Sequence, residues 1–345
     1  MSKVAVGMSG GVDSSVTVLR LLETGHEVVG VHLLLAPDAS ADGQSARDAM
    51  RVAAQLGITC HIIDRRAAFR EAVMLPFTEA YLQGLTPNPC VRCNQRIKFR
   101  LMWQEAQVLG CDRLATGHYA RIASPDGVPA LLRGADRRKD QSYFLWRMDR
   151  EMLHHVIFPL GELNKADTRA IAEEAGLLTA RKSESQEICF VPDDNYIAFL
   201  QSFCPDRLPH SGNFIDARGH ILGNHLGAYR YTIGQRRGLG LALGYPAYVT
   251  AIDAAANTVT VGDNSDLMRS CLTTGDVRFL ADCGTEGHSL IKIRSRGEGT
   301  PGHWKFDGTT LRVTFEQPVR AVTPGQSVVL YDGERVLGGG IITHA

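Results

Sequence analysis

Two sets of residues in this sequence have types and spacing that could carry out chemistry. One is a glycine-serine loop near the N-terminus, Gly7-Met8-Ser9-Gly10-Gly11-Val12-Asp13-Ser14. The other is a set of cysteines, in which Cys90 and Cys93 lie close together and Cys189 lies far downstream. Glycines and serines suit phosphate binding, and cysteines suit nucleophilic, redox or metal chemistry.

The glycine-serine loop predicts a phosphate-binding site. Glycines lack a Cβ, so successive N–H groups can approach an anion, and the following helix N-terminus adds partial positive charge. The loop has no lysine, unlike the G-x-x-x-x-G-K-S/T loop that holds the β and γ phosphates for γ transfer. We therefore expect a pyrophosphate group here and cleavage of a different bond. The alternative is a strand-to-helix turn in which the serines and Asp13 only cap the helix.

Cys90 and Cys93 form a C-x-x-C pair in the segment TPNPCVRCN (86–94), which two prolines are expected to keep extended. This spacing is compatible with half of a zinc site or with a redox pair. A structural zinc site needs further ligands, and no second C-x-x-C or H-x-x-x-H follows. We therefore predict no metal site from the spacing alone.

The charge around Cys93 predicts an activated thiol. Arg92, Arg96 and Lys98 flank it, and a helix is expected to begin near Asn94. Nearby cations and a helix N-terminus both lower the pKa of a thiol, so Cys93 is a candidate nucleophile. Cys189 has little charge around it, and by itself it is typical of a core cysteine.

Composition restricts the class of protein. A chain of 345 residues with 44% hydrophobic residues and eight cysteines is expected to form two or three domains and to be cytoplasmic, without a disulfide framework. No apolar run is long enough to span a membrane, and we expect no signal peptide. The net charge of zero argues against a strongly basic nucleic-acid-binding protein. Regional excesses of Lys and Arg at 65–150 and 217–252 could still bind a polyanion.

Alternating apolar runs and amphipathic segments predict a doubly wound α/β domain at 1–200. Strands are expected at 4–8, 27–35, 58–63 and 113–116, and ligands bind beyond the carboxyl ends of such strands. Helices are expected at 45–56, with Ser45 as the cap, and at 69–82, 95–109 and 167–175. A glycine-rich stretch at 201–265 predicts a central domain, and short alternating runs at 266–345 predict a small β-barrel.

Several motifs taken together resemble those of the bacterial tRNA-specific 2-thiouridylases, within the N-type ATP pyrophosphatase superfamily. They are SGGVDSS (9–15), TPNPCVRCN (86–94), ATGHYAR (115–121), KDQSYFL (139–145), SQEICF (185–190) and YTIGQRRGLG (231–240). The resemblance implies an ATP- and Mg²⁺-dependent enzyme that adenylates C2 of the wobble uridine and then transfers persulfide sulfur, yielding 2-thiouridine, AMP and pyrophosphate. It also implies tRNA and a sulfur-relay protein or cysteine desulfurase as partners. We expect a monomer.

The resemblance also implies roles for individual residues. Cys93 would be the nucleophile, Cys189 would carry the persulfide, and the two would form a transient disulfide. The ATP site would consist of Gly7 to Ser14 with Leu33 and Gly117. Contacts with the target base or other parts of tRNA would come from Asn88, Pro89, Cys90, Lys139, Asp140, Gln141, Arg294 and Ser295.

Cys90 departs from the N-P-D-x-x-C-N pattern of well-known family members, in which an aspartate occupies its position. A third cysteine leaves open an alternative in which Cys90, Cys93 and Cys189 hold a [4Fe–4S] cluster, as related sulfur transferases do. Two further alternatives remain. An ATP-dependent amide or amine ligase would use the same loop without the cysteines, and a non-enzymatic RNA-binding module would use the arginine-rich central segment.

Overall fold

The computed structural model describes residues 1–124, 127–182 and 188–344. Its α-helices are α1 (Val12–Glu23), α2 (Gln44–Gln55), α3 (Arg66–Phe69), α4 (Leu75–Leu82), α5 (Pro89–Cys93), α6 (Met102–Val108), α7 (Lys165–Glu174) and α8 (Tyr196–Phe203). Its first strands are β1 (Lys3–Gly7), β2 (Glu27–Leu34), β3 (Thr59–Asp64), β4 (Arg113–Ala115), β5 (Ala120–Ala123), β6 (Ala130–Arg133) and β7 (Val156–Ile157).

The later part of the chain is mainly β-structure. Its strands are β8 (Gly212–Ile215), β9 (Ile221–His225), β10 (Tyr248–Asp253), β11 (Thr258–Gly262), β12 (Met268–Phe279), β13 (Glu286–Lys292), β14 (Thr300–Phe306), β15 (Leu311–Arg320), β16 (Ser327–Asp332) and β17 (Arg335–His344). No helix in the described ranges combines the length and apolar character needed to cross a membrane.

The first domain is built on a parallel sheet with the strand order β3-β2-β1-β4-β7. Val4, Ala5 and Val6 of β1 are completely buried, as an apolar run covered on both faces should be. The chain leaves β1 for β2 on one side and reaches β4 on the other, so the carboxyl end of β1 is a topological switch point. The predicted doubly wound α/β fold is confirmed.

Several helix boundaries differ from the prediction, and two of them lie beside the site. Helix α2 begins at Gln44 and its N-cap is Gly43, so the assignment of Ser45 as the cap was wrong. The helix expected at 95–109 begins earlier, at Pro89, since Asn88 accepts a hydrogen bond from the Cys90 N–H and proline suits the first turn. It runs through a π-helical stretch, Asn94–Leu101, into α6.

The second sheet has the order β10-β11-β8-β9 and surrounds a small core that includes the fully buried Phe214. The third is a six-stranded barrel, β12-β15-β14-β13-β16-β17, which closes through pairing of β12 with β17. The predicted central domain and C-terminal β-barrel are therefore present.

The barrel is fastened to the first domain by a hairpin and by buried polar contacts. Hairpin β5–β6 lies in the first domain, yet Leu132 pairs with Arg335 of the barrel. Tyr143 Oη donates to the Ser327 carbonyl at 2.8 Å, and Trp146 Nε1 donates to Ser327 Oγ at 3.0 Å. Because the first domain and the barrel share a sheet, the residue limits proposed for the three domains stay predictions.

Candidate nucleotide and thiol site

The glycine-serine loop lies at the switch point, between the end of β1 and the start of α1. Gly10 has a φ of +73°, and a Cβ there would lie 2.4 Å from the Ser45 carbonyl oxygen, so this position requires glycine. The Ser14 hydroxyl donates to the Gly11 carbonyl at 3.0 Å and accepts from the Ser9 N–H at 3.3 Å. Contacts within the protein therefore fix the shape of the loop.

Two other predicted nucleotide residues lie at the same edge of the sheet. Leu33 is near the end of β2, and Gly117 follows β4, the two strands that flank β1. A Cβ at Gly117 would lie 2.9 Å from the Asp13 Cβ, so only glycine lets this turn pack against the loop. The structure therefore brings Gly7 to Ser14, Leu33 and Gly117 together.

Asp13 joins the loop to parts of the chain that the sequence reasoning missed. Lys165 Nζ lies 2.6 Å from Asp13 Oδ1, and Tyr119 Oη donates to the same oxygen at 2.9 Å. Tyr119 belongs to ATGHYAR, so its motif was a signal, but no local pattern marked Lys165. The carboxylate is thus held by a cation and a hydroxyl that approach from downstream of β4.

A second lysine approaches the loop from the other side. Lys182 Nζ donates to the Gly10 carbonyl at 2.9 Å and to Asp48 Oδ2 at 2.7 Å. Burial works against ionisation of Asp48, but Lys182 and Gln44 lower its pKa overall. Lys182 follows no recognisable motif, which is why the sequence did not reveal it.

Cys93 and the segment around Cys189 meet in one apolar cluster. Cys93 is buried in the same core as Phe190 and Val191, and Ile188 packs against that core. Cys90 and Cys189 are exposed, and all eight cysteines of the chain are free thiols. Leu33 also packs against this cluster, so the cluster extends to the nucleotide end of the sheet.

The electrostatics of the thiols differ from the prediction. Burial raises the pKa of Cys93 to about 12. Cys90 and Cys189 keep exposed surface, but the protein packed around them still desolvates their thiols and raises the pKa of each. The predicted lowering of the Cys93 pKa was therefore wrong. Its helix begins at Pro89 and not near Asn94, so Cys93 does not lie at a helix N-terminus.

Of the cations expected to activate Cys93, Lys98 is the one that acts on the thiols. Its ammonium group lowers the pKa of all three cysteines, against the larger effect of desolvation. Arg92 is turned away, with Nε donating to the Ala72 carbonyl at 2.6 Å. Lys98 therefore has all three cysteines within its electrostatic reach.

His118 lies at the nucleotide edge of the sheet and within the electrostatic reach of Lys98. It follows Gly117, its Nδ1 lies 2.7 Å from Thr116 Oγ1, and its ring packs near Phe99. Burial, assisted by the charge of Lys98, holds the pKa of His118 well below its usual value, so the ring is neutral near pH 7. Lys98 is thus close to both parts of the site.

The residues next to Cys93 include buried polar atoms without partners. Asn94 Nδ2 donates to the Phe144 carbonyl at 3.0 Å, but Asn94 Oδ1 and Gln95 Oε1 have no hydrogen-bond partner among the described residues. Both side chains lie in the π-helical stretch, a feature often found at functional sites. Such orphaned acceptors are costly, by about 1–3 kcal/mol each.

The proposed tRNA contacts occupy different environments. Asn88 caps α5, Pro89 is buried in its first turn, and Cys90 is exposed beside them. Lys139 is half-buried, and the exposed Arg294 donates to the Arg320 carbonyl at 2.6 Å, next to the half-buried Ser295.

The side chains of Asp140 and Gln141 form hydrogen bonds within the protein. The Asp140 carboxylate is fully enclosed and accepts from Arg133 Nε at 3.2 Å and from the Gly134 and Ser142 N–H groups at 3.0 Å. Gln141 Oε1 accepts from the Tyr119 N–H at 2.9 Å. The Asp140 side chain therefore has no surface to offer to tRNA in this structure. Ser185, Gln186 and Glu187 of SQEICF lie outside the described residues.

Fold and site together define an α/β nucleotide-binding protein with two attached β-domains. Three of its cysteines, Cys90, Cys93 and Cys189, the thiol cluster, lie at a core that extends to Leu33 at the nucleotide edge of the sheet. Family profiles match consecutive parts of the chain: the tRNA methyl transferase HUP domain at 2–193, the tRNA methyl transferase PRC-barrel domain at 197–263 and the aminomethyltransferase beta-barrel domain at 269–342.

Curated relatives match almost the whole chain. A tRNA-specific 2-thiouridylase MnmA of Geobacter metallireducens is 45% identical over 99% of this chain and 97% of its own length. A tRNA-specific 2-thiouridylase MnmA of Syntrophotalea carbinolica is 46% identical over 98% of this chain and 98% of its own length. The chain belongs to the tRNA-specific 2-thiouridylase family.

Among solved structures, a 4-thiouridine synthetase in complex with RNA and bound ATP is similar at 19% identity, over 60% of this chain and 51% of that one, with a TM-score of 0.39. NMN synthetase from Francisella tularensis is similar at 19% identity, over 53% of this chain and 66% of that one, with a TM-score of 0.35.

Proposed function

We propose that this protein thiolates C2 of the wobble uridine of tRNA, at the expense of ATP. The supporting observation is that Cys93 and the Cys189 segment share one core within the electrostatic reach of Lys98, and that this core extends to Leu33 at the sheet edge that carries the glycine-serine loop. An amide or amine ligase of the same fold would have no use for this group of thiols. The substrate in the names of the relatives, tRNA, supports the same function.

The nucleotide loop would supply activation. The uridine C2 oxygen attacks the α-phosphate of ATP, pyrophosphate leaves, and the oxygen becomes part of a good leaving group. The N–H groups at Gly10 and Gly11 would bind the departing pyrophosphate at the start of α1. Mg²⁺ would enter with ATP. Lys165 and Tyr119 already occupy Asp13 Oδ1, so we assign no protein ligand to the ion.

The thiols would then transfer sulfur. A persulfide on Cys189 attacks C2 with its terminal sulfur, AMP leaves, and a C2–S–S–Cys189 adduct remains. The Cys93 thiolate attacks the Cys189 sulfur, and the electron pair of the broken S–S bond passes to the base sulfur. This yields 2-thiouridine and a Cys93–Cys189 disulfide, which an external dithiol reduces. A sulfur-relay protein or a cysteine desulfurase would reload Cys189.

The cluster alternative depends on Cys90. Cys90, Cys93 and Cys189 are free thiols that influence one another's pKa, a donor set that fits a [4Fe–4S] cluster. Their sulfur atoms do not converge closely enough for a single metal ion in the described part of the chain. A cluster held there would supply an iron atom open to sulfur.

The test is mass spectrometry of the wobble uridine after incubation of the full-length protein with ATP, tRNA and a persulfide donor. We expect 2-thiouridine from the wild type, loss in Cys93→Ser and in Cys189→Ser, and tRNA binding retained in both. Cys271→Ser, which replaces an exposed cysteine on β12, is the matched control. Thiolation by either Cys93→Ser or Cys189→Ser would contradict the two-cysteine mechanism.

Cys90→Ser separates the persulfide and cluster mechanisms, with the protein purified anaerobically and analysed for iron and sulfide. The persulfide mechanism predicts an iron-free protein in which Cys90→Ser keeps most of its activity. Stoichiometric iron that disappears in Cys90→Ser together with activity would favour the cluster. Size-exclusion chromatography with light scattering tests the proposed monomer.

A further inference from the structure

We propose that the outer wall of the C-terminal barrel binds a late first-row divalent metal ion, Zn²⁺ above all, through His288, His303 and Glu316. One donor atom from each of these residues lies within 4.8 Å of the others. The group belongs to a different domain from the nucleotide and thiol site. The function proposed above makes no use of it.

Strand pairing brings these three residues together. His288 on β13 pairs directly with His303 on β14, and His303 pairs with Thr314 on β15. Glu316 lies two residues beyond Thr314, on the same face of β15. The group is therefore set by the register of three neighbouring strands.

The barrel core keeps the three side chains on the outer face. Ser289, Trp304 and Phe315, the neighbours of the three residues along their strands, are buried. Since side chains alternate across a strand, His288, His303 and Glu316 must project outwards, and all three are exposed. A metal ion could reach them without any opening of the fold.

The side chains already contact one another. His288 Nε2 lies 2.6 Å from Glu316 Oε1, and the two imidazole rings are 4.9 Å apart between centroids. Metal binding through Nε2 would replace the contact with Glu316, because this nitrogen cannot hold a proton and a metal ion at once. A tetrahedral site with bonds of about 2.0–2.1 Å separates its ligands by roughly 3.3 Å, a change that side-chain rotation can supply.

The donor set selects the kind of metal. Two imidazole nitrogens and one carboxylate oxygen suit Zn²⁺, Co²⁺, Ni²⁺ or Cu²⁺, whereas Mg²⁺ and Ca²⁺ prefer oxygen ligands. Two histidines and one glutamate also form a known three-ligand set for zinc, in which a fourth position stays open. On this exposed wall, water or a group from another molecule would complete the coordination.

The test is calorimetric titration of the full-length protein with Zn²⁺ after chelation of any bound metal. Accessible thiols are first alkylated with N-ethylmaleimide, because exposed cysteines would also bind zinc. The variants are His303→Ala and Glu316→Gln, two surface changes that leave the barrel core intact. The matched control is His220→Ala, which removes an exposed histidine that also pairs with a carboxylate, Asp216. Within the described residues, His220 belongs to no group of three possible metal ligands.

We expect one Zn²⁺ per chain for the wild type and for His220→Ala. Loss of an outer-shell partner alone lowers metal affinity about 10- to 100-fold, so loss of a ligand should weaken binding at least about tenfold in both other variants. Absence of binding to the wild type, or equal affinity in all four proteins, would overturn the proposal.

Discussion

The nucleotide loop and the thiol cluster are prepared for reaction to different degrees. The loop is held in shape by Ser14, by the requirement for glycine at position 10, and by Lys165 and Lys182, which reach it from downstream. The thiol cluster is assembled, but desolvation raises the pKa of each of its thiols. The contrast is that contacts within the protein fix the shape of the loop, whereas the thiols are brought together but are held in their protonated form near neutral pH.

We infer that the thiols are activated through Lys98. Persulfide loading or tRNA binding would change the surroundings of Lys98, whose charge already favours the thiolates. The orphaned acceptors of Asn94 and Gln95 lie in the same helix and could gain partners in the process. Four predictions test this contrast.

The largest expected effect concerns the reactivity of Cys93. With a pKa of about 12, its thiolate fraction at neutral pH is roughly a thousandfold or more below that of a free cysteine, whose pKa is about 8.5. Iodoacetamide labelling should therefore be slower by at least that factor and rise about tenfold per pH unit up to pH 10. Peptide mass spectrometry measures both, with the exposed Cys271 as the internal reference. A rate that levels off below pH 9 would show that the resting thiol is already activated.

The second prediction concerns a substitution that disrupts the glycine-serine loop. Gly10→Ala places a Cβ 2.4 Å from the Ser45 carbonyl oxygen and should lower tRNA-dependent pyrophosphate release at least about a hundredfold, as misplacement by an ångström can. The control is Gly25→Ala, which has a φ of +80° but no heavy atom within 4 Å of the new Cβ. Both substitutions carry left-handed strain of about 1–2 kcal/mol, so only the clash distinguishes them. Equal activity in the two variants would mean that the loop adapts to ATP.

The third prediction concerns the scaffold shared by both regions. Asp140→Asn removes the enclosed carboxylate partner of the buried Arg133, which keeps only the contact with the exposed Glu298 at 3.2 Å. We expect the free energy of unfolding to fall by about 3–5 kcal/mol, measured by urea denaturation. Asp282→Asn, which breaks the exposed pair with Arg150, should have a much smaller effect. If the Asp140→Asn variant were stable but bound tRNA more weakly, the Asp140 carboxylate would instead be a tRNA contact.

The smallest expected effect comes from Tyr119→Phe. It removes a hydrogen bond to Asp13, worth about 1 kcal/mol, while Lys165 still holds the carboxylate. The dissociation constant for ATP should rise by about fivefold, as measured by calorimetry. A loss as large as that of Gly10→Ala would mean that the tyrosine hydroxyl contacts ATP directly.

Local patterns were sufficient for the parts of the fold that depend on neighbouring residues. The apolar run at β1, the glycines after it and the alternating barrel strands could all be read from the sequence because strand burial and tight turns leave local signals. Helix starts were less secure. Gly43 caps α2 without a side chain, whereas Asn88 caps α5 through its side-chain oxygen. The proline-rich segment that suggested a loop forms the first turn of α5.

The site depended on contacts that the sequence does not encode locally. Lys165 and Lys182 reach the loop from more than a hundred residues downstream without any motif. The cations close to Cys93 in the sequence suggested a lowered pKa for its thiol. Tertiary packing instead buries that thiol and directs Arg92 towards the Ala72 carbonyl. The grouping of Cys93 with the Cys189 segment was implied by resemblance, and only the folded chain supplies the apolar cluster that both share.

The most direct test of the account is a single turnover. The full-length protein, loaded with one persulfide on Cys189 and freed of excess donor and reductant, is mixed with ATP and tRNA, and products and cysteine states are quantified by mass spectrometry. The account predicts equal amounts of 2-thiouridine, AMP and pyrophosphate, together with one Cys93–Cys189 disulfide per thiolated tRNA. Formation of 2-thiouridine with both cysteines remaining as thiols would contradict it.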